Sequence, residues 1–152
     1  MKLSQRFSCP IQEDGFAIYK RLRAINPSPY ASFCDLDDCT IVSCSPEHLV
    51  KVEHGTIETK PIGGTYPRGA TVAEDKKLAQ QFLADPKEKA EHTMLIDLER
   101  NDLGKVCIPG SIHVNEMMQL ETYSHLMHIV TNIKGTLQHD KDIFAVLRAM
   151  FP

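Results

Sequence analysis

Glu88 and Glu91 stand three residues apart in DPKEKAEHTMLIDLERND, residues 85–102, a spacing that puts two carboxylates on one side of a helix. Two hard oxygen donors with room for water are a typical magnesium arrangement, because Mg²⁺ takes one or two carboxylates and keeps several waters. The same pair is also what a solvated helix start carries, since the dipole there favours acids. Glu47 follows Ser45-Pro46 in SCSPEHLV. Against an apolar cavity its carboxyl would titrate late enough to serve as a general acid; at a solvated strand end it would be an ordinary carboxylate. His125 and His128 in YSHLMHIV fall on opposite faces of a strand and cannot grip one metal together. His128 shares its face with Leu126 and Val130, as a core histidine or as an acid–base group. In KPIGGTYPRG, residues 60–69, Gly63 and Gly64 make either a tight surface loop or a backbone that approaches a ligand closely, with Thr65 and free N–H groups turned to an anion. The stretch matches neither glycine-rich nucleotide pattern.

These residues need elements to hold them. Asp85 caps a helix with Pro86 at its first position, and from that cap Glu88, Glu91, Leu95 and Leu98 fall on one stripe. The helix before it opens at Thr71, with Glu74 completing a capping box, and runs to about residue 84. Residues 14–25 suit a helix striped with Ile18, Leu22 and Ile25 and ended by Asn26-Pro27. YASFCDL and CTIVSC flank Asp37-Asp38, and HLVKVE and TIETK flank His54-Gly55, so both read as antiparallel hairpins. SIHVNE is a strand, SHLMHIVTNIKGTL a longer one, and residues 140–150 form a helix packing Ile143, Val146 and Leu147. The opening MKLSQRFS reads like a strand interior. Neither end of the chain reads as a natural domain boundary.

At 152 residues, 42% apolar and 24% charged, the chain has the balance of one soluble domain with a real core. It holds no run of the ~18 apolar residues that a membrane span needs, and no signal-peptide pattern. A net charge of −3 without a basic block argues against nucleic acid as the main partner. The five cysteines, three of them spaced five apart, fit neither a metal knuckle nor a disulfide framework. Reduced, mostly buried thiols in a cytoplasmic protein are the expectation.

Taken in order, LSQRF, NPSPY, SPE-LV, PIGGT-PRG, DPKEKAEH-ML-DL-RNDLG and YSHLMHIV resemble the chorismate-utilising enzymes over nearly the whole chain. The likeness is greatest to component I of anthranilate synthase and component I of aminodeoxychorismate synthase. It implies an α+β domain, antiparallel sheets packed face to face with helices outside, of which residues 1–152 are a part. The N-terminal region and a C-terminal part carrying further ligands would lie outside it. A cut sheet exposes strand edges, so self-association of such a fragment is expected.

The resemblance also assigns roles. Glu91 matches a magnesium ligand, with Glu88 beside it reaching the ion directly or through water. Glu47 matches the general acid for the departing 4-hydroxyl of chorismate. His128 matches the active-site histidine, and Gly63, Gly64 and Thr65 the loop beside the substrate. Ammonia would come from a glutamine amidotransferase partner. Many aminodeoxychorismate synthases carry a nucleophilic lysine where this chain has Gly63, and glycine offers no nucleophile. Direct amination to anthranilate is therefore the leading expectation, with the aminodeoxychorismate reaction second. Isochorismate and salicylate synthases, which activate water, fit less well. A non-catalytic fragment or assembly module is the reading from another class.

Overall fold

A computed structural model describes residues 5–151. The chain divides into two compact units, Met1–Pro46 and Glu47–Pro152, each considered by itself below.

The first unit holds helix α1 (Gly15–Ile25) and strands β1 (Tyr30–Leu36) and β2 (Cys39–Ser45). Asp14 caps α1 by accepting the Ala17 N–H at 3.3 Å. The strands pair antiparallel across Asp37-Asp38, as their sequence requires, with Asp37 at a φ of 52°. Phe16 and Tyr19 of α1 lie 5.3 and 5.8 Å from the Phe33 ring on β1, so an aromatic trio closes the helix onto the hairpin. Ile18 and Leu22 are half-buried, but Ile25 is exposed. Of the expected opening strand, residues 1–4 lie outside the described residues. Residues 5–8 are exposed and form no strand, since the sheet here consists of β1 and β2 among the described residues. The thiol expectation is also corrected: Cys9, Cys34 and Cys39 are exposed, Cys44 is half-buried and only Cys107 is buried. Cys34 and Cys39 lie on the hairpin face opposite Phe33 and α1, and Cys9 precedes α1 outside any strand or helix.

The second unit is built on strand β7 (Leu126–Thr136). Strand β6 (His113–Thr122) pairs along one edge. The other edge is shared by β4 (Thr56–Thr59), opposite residues 133–136, and β5 (Ile62–Pro67), opposite residues 126–130. Pro61 makes the break between them, for it has no N–H to give the ladder; its carbonyl still accepts the Thr131 N–H at 3.3 Å. Strand β3 (Lys51–Glu53) pairs with β4 across His54-Gly55, both at positive φ, the two-residue turn that suits strand twist. All pairings are antiparallel. β6 extends well past the expected SIHVNE, with a register shift around Met118 at a φ of 52°.

Helices α2 (Val72–Ala84), α3 (Pro86–Gly104) and α4 (Ile143–Met150) complete the unit. The α2 cap differs in detail from a capping box: Thr71 accepts the Glu74 N–H, while Glu74 reaches back to the N–H of Ala70 instead of Thr71. One core cluster joins Ile57 and Ile133 of the sheet to Ile96 and Leu103 of α3 and Val146 of α4. A second packs Phe82 of α2 on Met127 and Ile129, with Tyr66 stacked on Phe82 at 4.3 Å. The expected stripe of α4 is corrected: Val146, Ala149 and Met150 are buried, while Ile143 and Leu147 are exposed. No helix among the described residues is long and apolar enough to cross a membrane.

Candidate functional site

Asp85 fixes the start of α3 by accepting the N–H groups of Lys87 and Glu88 at 2.8 and 3.4 Å. The inward face that follows is not the expected one. His92, Ile96 and Leu103 are buried, and Glu88 and Glu99 are half-buried on the same side. Glu91 and Leu98 are exposed. At 3.6 residues per turn, Glu91 lies about 100° round from the centre of the buried stripe, and Leu98 about 120°. The sequence pattern was phased on the Glu88–Glu91 pair, whereas packing phases the helix on Glu88, His92 and Ile96.

This face of α3 lies on the glycine loop of the sequence, which the structure builds into β5 with a register shift between Gly63 and Tyr66. A Cβ on Gly63 would overlap His92 Nδ1, and one on Gly64 would overlap Glu88 Oε2 and come within 2.7 Å of the Phe82 ring. Gly64 also has a φ of +63°, which side chains rarely adopt. Thus Gly63 and Gly64 permit close approach of a backbone, and what approaches is the helix that carries Glu88. His92 was not among the sequence candidates. It is fully buried, its Nε2 lies 2.7 Å from Thr131 Oγ1, and its Nδ1 has no hydrogen-bond partner among the described residues. Burial pushes its pKa down, so the imidazole is neutral.

The other candidates reach the same loop. The Ile62 N–H donates to Glu47 Oε1 at 3.2 Å. Glu47 is exposed, so of the two settings the sequence leaves open it takes the solvated one: the segment after Pro46 runs over the surface of its unit. His128 Nδ1 lies 2.9 Å from the Gly64 carbonyl and 3.3 Å from Thr65 Oγ1. A carbonyl only accepts, so Nδ1 is the donor in this contact and Nε2 is left free of it. Tyr123 flanks His128 with ring centroids 5.7 Å apart and donates to Glu121 at 2.7 Å. Burial pushes the Glu121 carboxyl up, but Lys60 and Tyr123 outweigh it and hold it below the usual range. His125 lies in the exposed turn before β7, its carbonyl accepting the Arg68 N–H. Arg68 also grips Asp75 through two hydrogen bonds, and with the Gly69 N–H it lowers that carboxyl to about 2. The α2 end of the loop is fastened there.

Glu88 and Glu91 fit a cation. Lys87 Nζ lies 3.5 Å from Glu88 and 3.3 Å from Glu91, so the two carboxylates already bracket one positive charge. No group of three or more histidine, cysteine, aspartate or glutamate side chains that could hold a metal ion occurs among the described residues. A two-carboxylate donor set suits magnesium, with the other positions left to water or substrate, better than it suits zinc or calcium.

Residues 1–152 match the family described as chorismate binding enzyme. Anthranilate synthase component 1 of Synechocystis is 50% identical over 155 residues, covering 99% of this chain and 30% of that protein. Aminodeoxychorismate synthase component 1 of Bacillus subtilis is 47% identical over 152 residues, covering 100% of this chain and 32% of that protein. The crystal structure of anthranilate synthase component I from Streptococcus pneumoniae superposes with a TM-score of 0.83 at 38% identity, over 93% of this chain and 31% of that one. The chain thus spans about 30% of the length of the relatives it matches.

Proposed function

The chain belongs to the chorismate-binding enzymes, and from that premise we propose that it forms the metal-side half of the site in a component I that aminates chorismate to anthranilate with release of pyruvate. The observation that carries this reading is the convergence on residues 62–65. Glu47 meets the Ile62 N–H, His92 covers Gly63, Glu88 covers Gly64, and His128 holds the Gly64 carbonyl. The candidate acid, two imidazoles and one candidate metal carboxylate, Glu88, thereby meet Ile62, Gly63 and Gly64, which supports the reading, while Glu91 stands exposed on the next face of α3.

In this scheme ammonia, delivered by a glutamine amidotransferase partner, adds at ring carbon 2. Glu47 protonates the 4-hydroxyl as its C–O bond breaks and water leaves. His128 offers its Nε2 lone pair to the elimination that releases pyruvate. Glu88 and Glu91 would hold Mg²⁺, which when bound supplies charge neutralisation and Lewis acidity at the ring carboxylate. His92 supports direct amination in preference to a covalent route, because its ring fills the space that a lysine at position 63 would enter. The aminodeoxychorismate reaction remains the second reading, since relatives of both names are nearly equally similar.

The deciding test supplies the full-length protein with chorismate, Mg²⁺ and ammonium. Anthranilate with stoichiometric pyruvate is expected; aminodeoxychorismate without pyruvate would move the protein to the second reading, and no amine product would overturn both. In the same assay Glu91→Gln is expected to raise the magnesium concentration for half-maximal rate at least about tenfold, consistent with loss of a charged ligand. An unchanged magnesium titration would remove Glu91 from the metal.

A further inference from the structure

Glu99 is the second inward acid of α3, and the proposed chemistry does not use it. Its Oε2 lies 2.9 Å from Thr59 Oγ1, and that hydroxyl also lies 3.3 Å from the carbonyl of Leu49. Thr59 is 1% exposed, so water does not readily complete its bonding. A hydroxyl has one proton. Both acceptors can be served together only if Glu99 brings a proton of its own, donates it to Thr59 Oγ1, and leaves the Thr59 proton for Leu49. Leu49 lies two residues beyond Glu47, on the segment between β2 and β3.

We infer that Glu99 is a positioning residue: held protonated, it completes a chain from α3 through Thr59 to the Leu49 carbonyl that anchors the Glu47 segment to the helix carrying Glu88. The charged groups facing it agree. Glu47 from the segment and Asp102 from the next turn of α3 are both acids, and β4 contributes the Thr59 hydroxyl. Lys105, the base that meets Asp102, is engaged there at 2.7 Å and reaches the Ala149 carbonyl of α4 at 3.4 Å. Burial, then the two acids, push the Glu99 carboxyl up against the opposing Thr59 bond. Once Glu99 ionises, Thr59 turns its only proton to the carboxylate and the Leu49 tether opens.

The role in catalysis rests on the reading of Glu47 as general acid; the tether does not. Thermal unfolding of the full-length protein, Glu99→Gln and Glu99→Ala should therefore be followed from about pH 5 to about pH 8. The unfolded chain releases the Glu99 proton at the ordinary carboxylate pKa while the folded chain keeps it. Stability contributed by the raised pKa is thus present at the acid end and lost as pH rises through the folded value. Glutamine donates to Thr59 at every pH, so the wild type is expected to fall relative to Glu99→Gln across the window, while Glu99→Ala stays lower throughout. Amination at the alkaline end should be at least about threefold higher in Glu99→Gln than in wild type, against near equality at the acid end.

A wild-type-minus-Gln difference that is constant with pH would overturn the inference whatever product the enzyme makes. Absence of amination in every protein would sink the reaction and leave the stability arm standing. Should the variants fail to fold, the Glu99 carboxyl carbon followed by NMR in wild type decides. Titration after the exposed glutamates supports the tether, and titration together with them ends it.

Discussion

Glu47→Gln in the full-length enzyme is expected to lower kcat by about 10²–10⁴-fold, the range typical of a lost general acid, while chorismate binding changes little. The geometry makes this substitution a clean one. Glutamine keeps a side-chain oxygen to accept the Ile62 N–H that Glu47 Oε1 now accepts at 3.2 Å, so the side chain stays seated on the loop. What it loses is a proton that can leave with the 4-hydroxyl. Calorimetric titration with chorismate should therefore show near-wild-type affinity beside the collapsed turnover. Turnover within about threefold of wild type would take Glu47 out of the acid role. Lost binding with intact kcat would make it a substrate anchor instead.

Gly64→Ala is expected to cost the fold about 2–5 kcal/mol, combining left-handed backbone strain with overpacking. Its φ of +63° suits few side chains, and the added methyl would enter the space of Glu88 Oε2 and sit 2.7 and 2.8 Å from two Phe82 ring atoms. Phe82 is fully buried and stacked on Tyr66, so the ring cannot step aside. Gly55→Ala supplies the control. It too has a positive φ, +77°, but nothing lies within 4 Å of its would-be Cβ, and only the conformational part of about 1–2 kcal/mol remains. Urea unfolding of the two variants should separate them by at least about 1 kcal/mol, the lower end of an overpacking cost. Equal midpoints would mean that the contact between α3 and the loop is softer than the packing implies.

Local chemistry made much of this fold legible. Asp37-Asp38 and His54-Gly55 marked turns, Thr71 and Asp85 marked helix starts, and each does so because backbone groups at an end need partners within a few residues. The split of one sheet edge at Pro61 follows from a missing N–H, yet nothing in the sequence says that β4 and β5 share β7. The inward face of α3 was misphased for a related reason. Charge marks Glu88 and Glu91 in the sequence, while His92 and Glu99 acquire meaning only from what packs on them: Gly63, Thr131 and Thr59. In α4, Ile143 and Leu147 looked like core on hydrophobicity alone. Which apolar stripe a helix buries depends on its neighbour, and the α4 neighbours are α3 and the sheet.

At residues 62–65 the groups that candidate side chains meet are an amide nitrogen, two α-carbons, a carbonyl oxygen and a single side-chain atom, the Thr65 hydroxyl oxygen. Alanine scanning, which deletes side chains, is largely blind to such a surface. Ile62→Ala and Thr65→Ala leave every one of those main-chain atoms in place, and the glycines have nothing to delete. A map built from side-chain deletions would therefore be quiet at Ile62, while Gly64→Ala, which adds a methyl, reports the contact with Glu88 and Phe82. Silence there would record how the loop is read by its neighbours, and not that it is idle.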